Sequence, residues 1–330
     1  MARKFIQGND AIAQGALDAG MGFYAGYPIT PASEIMHYLA NVKGIKFLQA
    51  EDEIASVNLC LGASLAGVKS MTATSGPGFS LMQEGIGFGH MARIPTVIVD
   101  VQRVGPSTGM PTLGSQGEVL QSKNGGHGDY YPIVFTPGSV EELYKYTIES
   151  FNCAEQARIP VILLSDGMLS QMYESVELKQ IKLKNRINKS MGHVTGLLSE
   201  GDLPRTKDSD YYKRWFAKYK KEILKVAESY AFYEYSENKD SENLIICFGG
   251  VSRVLNELKK DYSIFRPIRL FPVLEKELKK AVDKHKKVSV VEMNDGQYAG
   301  ELRKYFGDKI VSVPVLGGKI NVEGIRGKLR

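Results

Sequence analysis

Between residues 22 and 165 the chain alternates short, almost wholly apolar runs with longer stretches of helical period. The runs fall at residues 22–26, 45–49, 70–74, 95–101, 132–136 and 160–164. A strand with one wet face alternates apolar and polar residues. These runs do not, which predicts strands of a parallel sheet covered on both faces. Helices are predicted at 9–19, 31–40, 52–66, 78–91 and 139–157, the first opening on Asn9-Asp10 and closing at Gly20 as capping preferences require. Residues 104–128, crowded with Gly and Pro, show no period and read as a long loop, which inside a compact domain is usually functional or disordered.

Past residue 175 the composition turns to Lys, Glu, Asn and Ser. Trp215, Tyr219, Ile223, Val226 and Tyr230 recur there at helical spacing on a charged background, the mark of a helix that packs one face. Strands are then predicted at 244–248, 269–271, 287–292 and 310–313, with helices starting near Ser252, Leu274 and Gln297. The expected organisation is α/β throughout: a parallel-sheet domain over 1–175, a charged connector over 176–242 and a smaller, separate α/β domain over 243–330.

With 330 residues, 43% of them hydrophobic, the chain can bury a sizeable core. No apolar run approaches the ~20 residues that cross a bilayer, and the N-terminus lacks a basic-then-apolar leader, so no membrane and a cytoplasmic location are expected. The formal charge of +5 is uneven, with 10 Lys/Arg against 16 Asp/Glu up to residue 175 and 32 against 21 beyond it. Acids are interleaved with the bases and no nucleic-acid module is recognisable, which points to a solvated or partner-facing half and no nucleic-acid partner. Cys60, Cys153 and Cys247 stand alone, so neither a disulfide framework nor a four-cysteine cluster can form, and any redox cluster must come from another chain.

Several segments carry potential chemistry, each with a plainer alternative. Gly26-Tyr27-Pro28-Ile29-Thr30-Pro31 joins a strand to a helix, with Thr30 suited to the N-cap and Pro31 to the first turn. It is a good helix start, and also the kind of place where α/β proteins hold ligands. Glu51-Asp52-Glu53 opens a long helix, where an acid offsets the helix dipole by ~0.3–1 kcal/mol without any further role. Thr74-Ser75-Gly76-Pro77-Gly78 leaves backbone N–H groups free before the next helix, fit for an anion, for another subunit's backbone or for a simple tight turn. Arg103, in Gln102-Arg103-Val104-Gly105-Pro106-Ser107-Thr108-Gly109-Met110-Pro111-Thr112, follows a buried strand and could close its planar fork on a carboxylate, or be an ordinary surface arginine. His127 is a proton donor, a substrate contact or neither. Ser165-Asp166-Gly167 resembles part of a thiamine diphosphate signature whose Asp and a later Asn hold Mg²⁺, but its first Gly is missing and no metal site is assigned to this chain.

Taken together, Gly26–Pro31, the run from Glu51 through Gly67, Thr74–Gly78 and Gln102–Thr112 resemble the alpha subunit of 2-oxoacid:ferredoxin oxidoreductases. The resemblance spans nearly the whole chain, since Glu292-Met293-Asn294-Asp295-Gly296-Gln297 resembles that family's transketolase C-terminal-like domain. It implies a thiamine-diphosphate-binding-type pyrimidine domain, with the cofactor shared with a beta subunit that carries the diphosphate and Mg²⁺ site and an iron–sulfur cluster. Glu53 takes the place of the cofactor-activating glutamate, Pro28 would touch the cofactor ring, and Thr30, Arg103 and Thr112 would face the substrate. Ferredoxin is the implied electron acceptor and coenzyme A the cosubstrate, with gamma and delta subunits as further candidate partners. The arginine-loop wording is most similar to 2-oxoglutarate-type subunits, while Gly125-Gly126-His127-Gly128-Asp129-Tyr130 is also similar to branched-chain relatives. The expected reaction is oxidative decarboxylation of 2-oxoglutarate to succinyl-CoA and carbon dioxide, or its reverse. A non-oxidative thiamine-dependent decarboxylase subunit and a non-catalytic assembly subunit are the competing expectations.

Overall fold

The computed structural model describes residues 3–186, 196–200 and 203–329. Its larger sheet runs in the order Arg269–Phe271, Ile133–Phe135, Pro160–Asp166, Thr96–Val104, Ser70–Thr74, Phe23–Gly26, Lys46–Gln49. The last six are mutually parallel, and five of the six occupy buried positions almost throughout, as their unbroken apolar runs require. Only Lys46–Gln49, at the open edge, is largely exposed. Helices cover both faces: Gly8–Asp18, Ser33–Ala40 and Val140–Ala157 belong to one core, and Glu53–Leu65 and Gln83–Met91 to the other.

A second sheet has the order Tyr233–Ser236, Ser263–Pro267, Asn243–Cys247, Lys287–Glu292, Ile310–Pro314, parallel except for the first pair. Arg269–Phe271, expected to belong here, instead pairs antiparallel with Ile133–Phe135 at the edge of the larger sheet. The strand that takes its place, Ser263–Pro267, is fully buried but carries Arg266, whose guanidinium is held bidentately by Glu142 at 2.7 and 2.6 Å. That pair ties the second sheet to the long helix Val140–Ala157, whose N-cap Ser139 accepts from the Glu142 amide. The helix Ser209–Glu228 lays its aromatic stripe on the larger domain: Tyr219 and Ile223 are fully buried, as is Tyr230 just past its end, and Trp215 and Val226 pack partly buried beside them. No helix among the described residues is long and apolar enough to cross a membrane.

Candidate active site

In the larger sheet the order reverses between Phe23–Gly26 and Ser70–Thr74, and the crevice beyond the carboxyl ends of such strands is where open α/β sheets hold ligands. Glu53 is brought there as the first residue of Glu53–Leu65, whose N-cap Asp52 accepts from the Ala55 amide at 2.7 Å. The Glu53 carboxyl lies on the turn after Ser70–Thr74: a Cβ at Gly78 would collide with Glu53 Oε1 and Thr74 Oγ1, so only glycine lets acid and turn meet. Glu53 is 5% exposed. Burial raises its pKa and the Asp52 charge adds to this, while its own backbone amide and the Arg103 cation pull the other way.

Arg103 comes from Thr96–Val104, a strand longer than its neighbours that turns back at its end. The stretch 104–128 is therefore not a structureless loop. It holds the return strand Met110–Gly114, antiparallel to the Arg103 end, and the helix Val119–Asn124. At the tip Gly109 has φ +51°, and a side chain there would strike the Val104 carbonyl. The Arg103 side chain is 6% exposed, its Nη1 donates to the Thr30 carbonyl at 2.7 Å, and its buried Nε has no partner among the described residues.

The expected cap at Thr30 does not form. Residues 30 and 31 are spent in a turn closed by the Ala32 amide on the Ile29 carbonyl, the Thr30–Pro31 peptide is cis, and the helix starts at Ser33 with Ala32 as its N-cap. The helix expected over 78–91 is likewise two, Gly76–Leu81 and Gln83–Met91, broken at Met82. Arg103, the Thr30 carbonyl and Glu53 thus come together, whereas the side chains of Pro28, Thr30 and Thr112 are exposed and Thr112 sits on the return strand of the hairpin.

A cleft of about 420 Å³ lies between the Gly76-Pro77 turn, Arg103 and Glu118. Glu118 is a site residue that sequence reasoning missed, and Asp100 beneath it is another. Asp100 is fully buried in Thr96–Val104, in register with Thr74 and Leu164, and both its carboxyl oxygens lack partners among the described residues. The signal available was one acid ending the apolar run Val97-Ile98-Val99. Burial pushes the Glu118 carboxyl up to about 7 against the pull of its own amide and of Arg103. Burial and the Glu118 charge push Asp100 well above the usual range against Arg103.

The second sheet holds the Glu118 loop in place. Gln116 bonds to Phe248 and Met293 at the ends of two strands, the Asn294 side chain donates to the Gln116 carbonyl, and Gln297 bonds to Gly117 and Leu120. The Glu292-to-Gln297 motif therefore serves as a brace for the cleft. Asp166 spends Oδ1 on the amides of Met168 and Leu169 and Oδ2 on the amide of Gly250, each at 3.0 Å. Among the described residues no group of three or more His, Cys, Asp or Glu is placed to hold a metal. Cys60, Cys153 and Cys247 are all buried. His127 is exposed and lines a different hollow with His90, Tyr130, Trp215 and Tyr219.

Residues 14–230 match the family described as pyruvate flavodoxin/ferredoxin oxidoreductase, thiamine diphosphate-binding. Similar proteins include the 2-oxoglutarate synthase subunit KorA of Methanocaldococcus jannaschii, 38% identical with 97% of each chain covered, and that of Archaeoglobus fulgidus, 39% identical with 97% of this chain and 96% of the other covered. The ketoisovalerate oxidoreductase subunit VorB of Methanothermobacter thermautotrophicus is 35% identical with 97% of this chain and 95% of the other covered. Among solved structures, 2-oxoglutarate:ferredoxin oxidoreductase from Magnetococcus marinus with 2-oxoglutarate, coenzyme A and succinyl-CoA bound superposes with a TM-score of 0.92 at 30% identity, covering 100% of this chain and 66% of that one. By both sequence and fold, the chain belongs to the pyruvate flavodoxin/ferredoxin oxidoreductase family and carries its thiamine-diphosphate-binding domain.

Proposed function

We propose that the chain is the alpha-type subunit of a 2-oxoglutarate:ferredoxin oxidoreductase, converting 2-oxoglutarate and coenzyme A to succinyl-CoA and carbon dioxide, or the reverse, together with a beta subunit. The observation that carries this reading is the buried Glu53, raised in pKa, set on the Gly78 turn and within electrostatic reach of Arg103. Bound thiamine diphosphate would supply the carbanion chemistry of 2-oxoacid decarboxylation. The residues present fit one end of it. A carboxyl whose burial favours the protonated form can hold and return a proton at Oε against an aminopyrimidine nitrogen. They do not fit the diphosphate end, because Asp166 has both oxygens filled by backbone amides. A beta subunit with the diphosphate and Mg²⁺ site and an iron–sulfur cluster suits that division.

Arg103 would take a substrate carboxylate with the donors left after Thr30, and its buried, unpartnered Nε favours an anionic occupant. Tyr27 and Ile54, next in sequence to Pro28 and Glu53, and Leu81, the last residue of the helix Gly76–Leu81, are 40–49% exposed, apolar surface suited to cover by a partner subunit. A second reading, a branched-chain 2-oxoacid as substrate, is favoured by the 35% identity to two ketoisovalerate oxidoreductase subunits over 97% and 100% of this chain. Co-purification with the beta subunit and assay of a 2-oxoacid panel with coenzyme A and ferredoxin separates them. Highest kcat/KM on 2-oxoglutarate supports the first reading and on 2-oxoisovalerate the second, and turnover without coenzyme A or an electron acceptor rejects both.

A further inference from the structure

Beside the Glu53 and Arg103 groups lies a pair of acids that the proposed chemistry does not use. Asp100 is fully buried, with neither carboxyl oxygen bonded to any described residue. Glu118 is 8% exposed, with Oε1 turned to Gly76 and Oε2 buried and unpartnered. Two carboxyls placed this way cannot both be ionised cheaply, because Asp100 has no donor among the described residues and Glu118 only its own amide, whereas three backbone amides hold Asp166 and two hold Glu292. Glu118 also lines the cleft with Arg103, yet no ion pair joins the two among the described residues, so acid and cation both remain available to the cleft.

We propose that Asp100 and Glu118 form a proton-sharing pair, and that the charge of this pair sets the net charge of the cleft and with it the affinity for an anionic 2-oxoacid. The proposal rests on Arg103 receiving a substrate carboxylate. While both carboxyls are protonated, the Arg103 cation is uncompensated and attracts the anionic substrate. When Glu118 ionises, one proton remains between the two acids, and their single negative charge cancels the Arg103 cation and weakens that attraction. The neighbouring charges do not replace this control. Glu53 faces Arg103 from the start of the helix Glu53–Leu65 with Asp52 beside Glu53, the helix Gly76–Leu81 brings no titratable side chain, Lys123 on the helix after Glu118 is held by Glu301, and Asp166 and Glu292 are fixed by amides. Asp100 and Glu118 act through Arg103 and are positioning residues.

The sign follows from the raised acid. Glu118, pushed up to about 7, is protonated below that pH and charged above it. KM for the 2-oxoacid therefore rises with pH while kcat changes less. The test is steady-state kinetics of the complete complex between about pH 6 and about pH 9, where one added charge in a poorly solvated cleft shifts affinity ~10-fold or more. In the wild type KM rises across pH 7. In Glu118→Gln it stays low and flat, and in Asp100→Asn the rise stays near pH 7, because Asn replaces a carboxyl that is still protonated there. Infrared spectra over the same range, without substrate, should show a protonated carboxyl band lost near pH 7 in the wild type and missing in Glu118→Gln. A wild-type KM profile in Glu118→Gln, or an unchanged infrared band, overturns the acid pair. If Arg103→Ala leaves KM unchanged while the infrared band behaves as expected, the pair stands and the carboxylate reading of Arg103 fails.

Discussion

Gln116 and Met293 hold each other in both directions: the Gln116 amide donates to the Met293 carbonyl at 3.0 Å, and the Met293 amide donates to Gln116 Oε1 at 2.9 Å. The same side chain donates through Nε2 to the Phe248 carbonyl at 2.8 Å. Truncation in Gln116→Ala strands one buried N–H and one buried C=O, so stability should fall by ~2–4 kcal/mol. Denaturant melts measure this. A loss under ~0.5 kcal/mol, the scale of an inconsequential surface change, would show that the loop is held by other contacts.

Glu53→Gln keeps the shape of the side chain and removes its proton chemistry. Turnover of the complex should drop at least ~10²-fold with the melting temperature and subunit assembly nearly unchanged. Rapid kinetics beside calorimetry separates the two effects, and a twofold loss would reduce Glu53 to a residue that offsets the helix dipole.

Arg103→Ala should reduce kcat/KM by ~10–100-fold, the value of a charge-assisted hydrogen bond, with Arg103→Lys intermediate because it keeps charge and loses the fork. The defect should extend to every 2-oxoacid if the common carboxylate is bound and be selective for 2-oxoglutarate if the distal one is. Because Arg103 also ties down the Thr30 carbonyl, a melting curve belongs beside the kinetics. Wild-type values on all substrates would make the hairpin a structural or subunit-contact element.

Burial alone would raise Glu142, yet the hydrogen bonds and charge of Arg266 hold its carboxyl below the usual range. Its contribution to stability is therefore complete above the unfolded carboxylate pKa of about 4.3 and is lost as pH falls through the depressed folded value. Glu142→Gln should cost ~1.5–3 kcal/mol at neutral pH, and the gap to wild type should close in acid. Melting temperatures measured from neutral pH downward check this, and a gap that widens in acid would reverse the assignment.

The first half of the chain was legible because its central strands are buried on both faces and so spell unbroken apolar runs. Where burial is achieved differently, the reading failed. Arg3–Gln7 and Tyr173–Glu177 form an antiparallel pair with mostly exposed or half-buried positions, and Ser263–Pro267 hides an arginine held by Glu142, distant in sequence, and by Glu234 on the neighbouring strand. Glu53 and Arg103 could be singled out because each adjoins a recognisable turn. Asp100 and Glu118 could not be paired, since Glu118 reaches the cleft only through a brace from residues far along the chain.

Arg269–Phe271 leaves the second sheet to finish the first, and the Arg269 guanidinium also donates to the Ala227 carbonyl near the end of the helix Ser209–Glu228. The last part of the chain is thus not a detachable cassette. A polypeptide ending at residue 242 would leave the N–H and C=O groups of Ile133–Phe135 as an open edge, which invites strands from other molecules. A segment exchanged for it from a relative would have to match the register of a strand encoded far earlier as well as its own sheet, so recombination at that point selects for pairs of halves that have changed together.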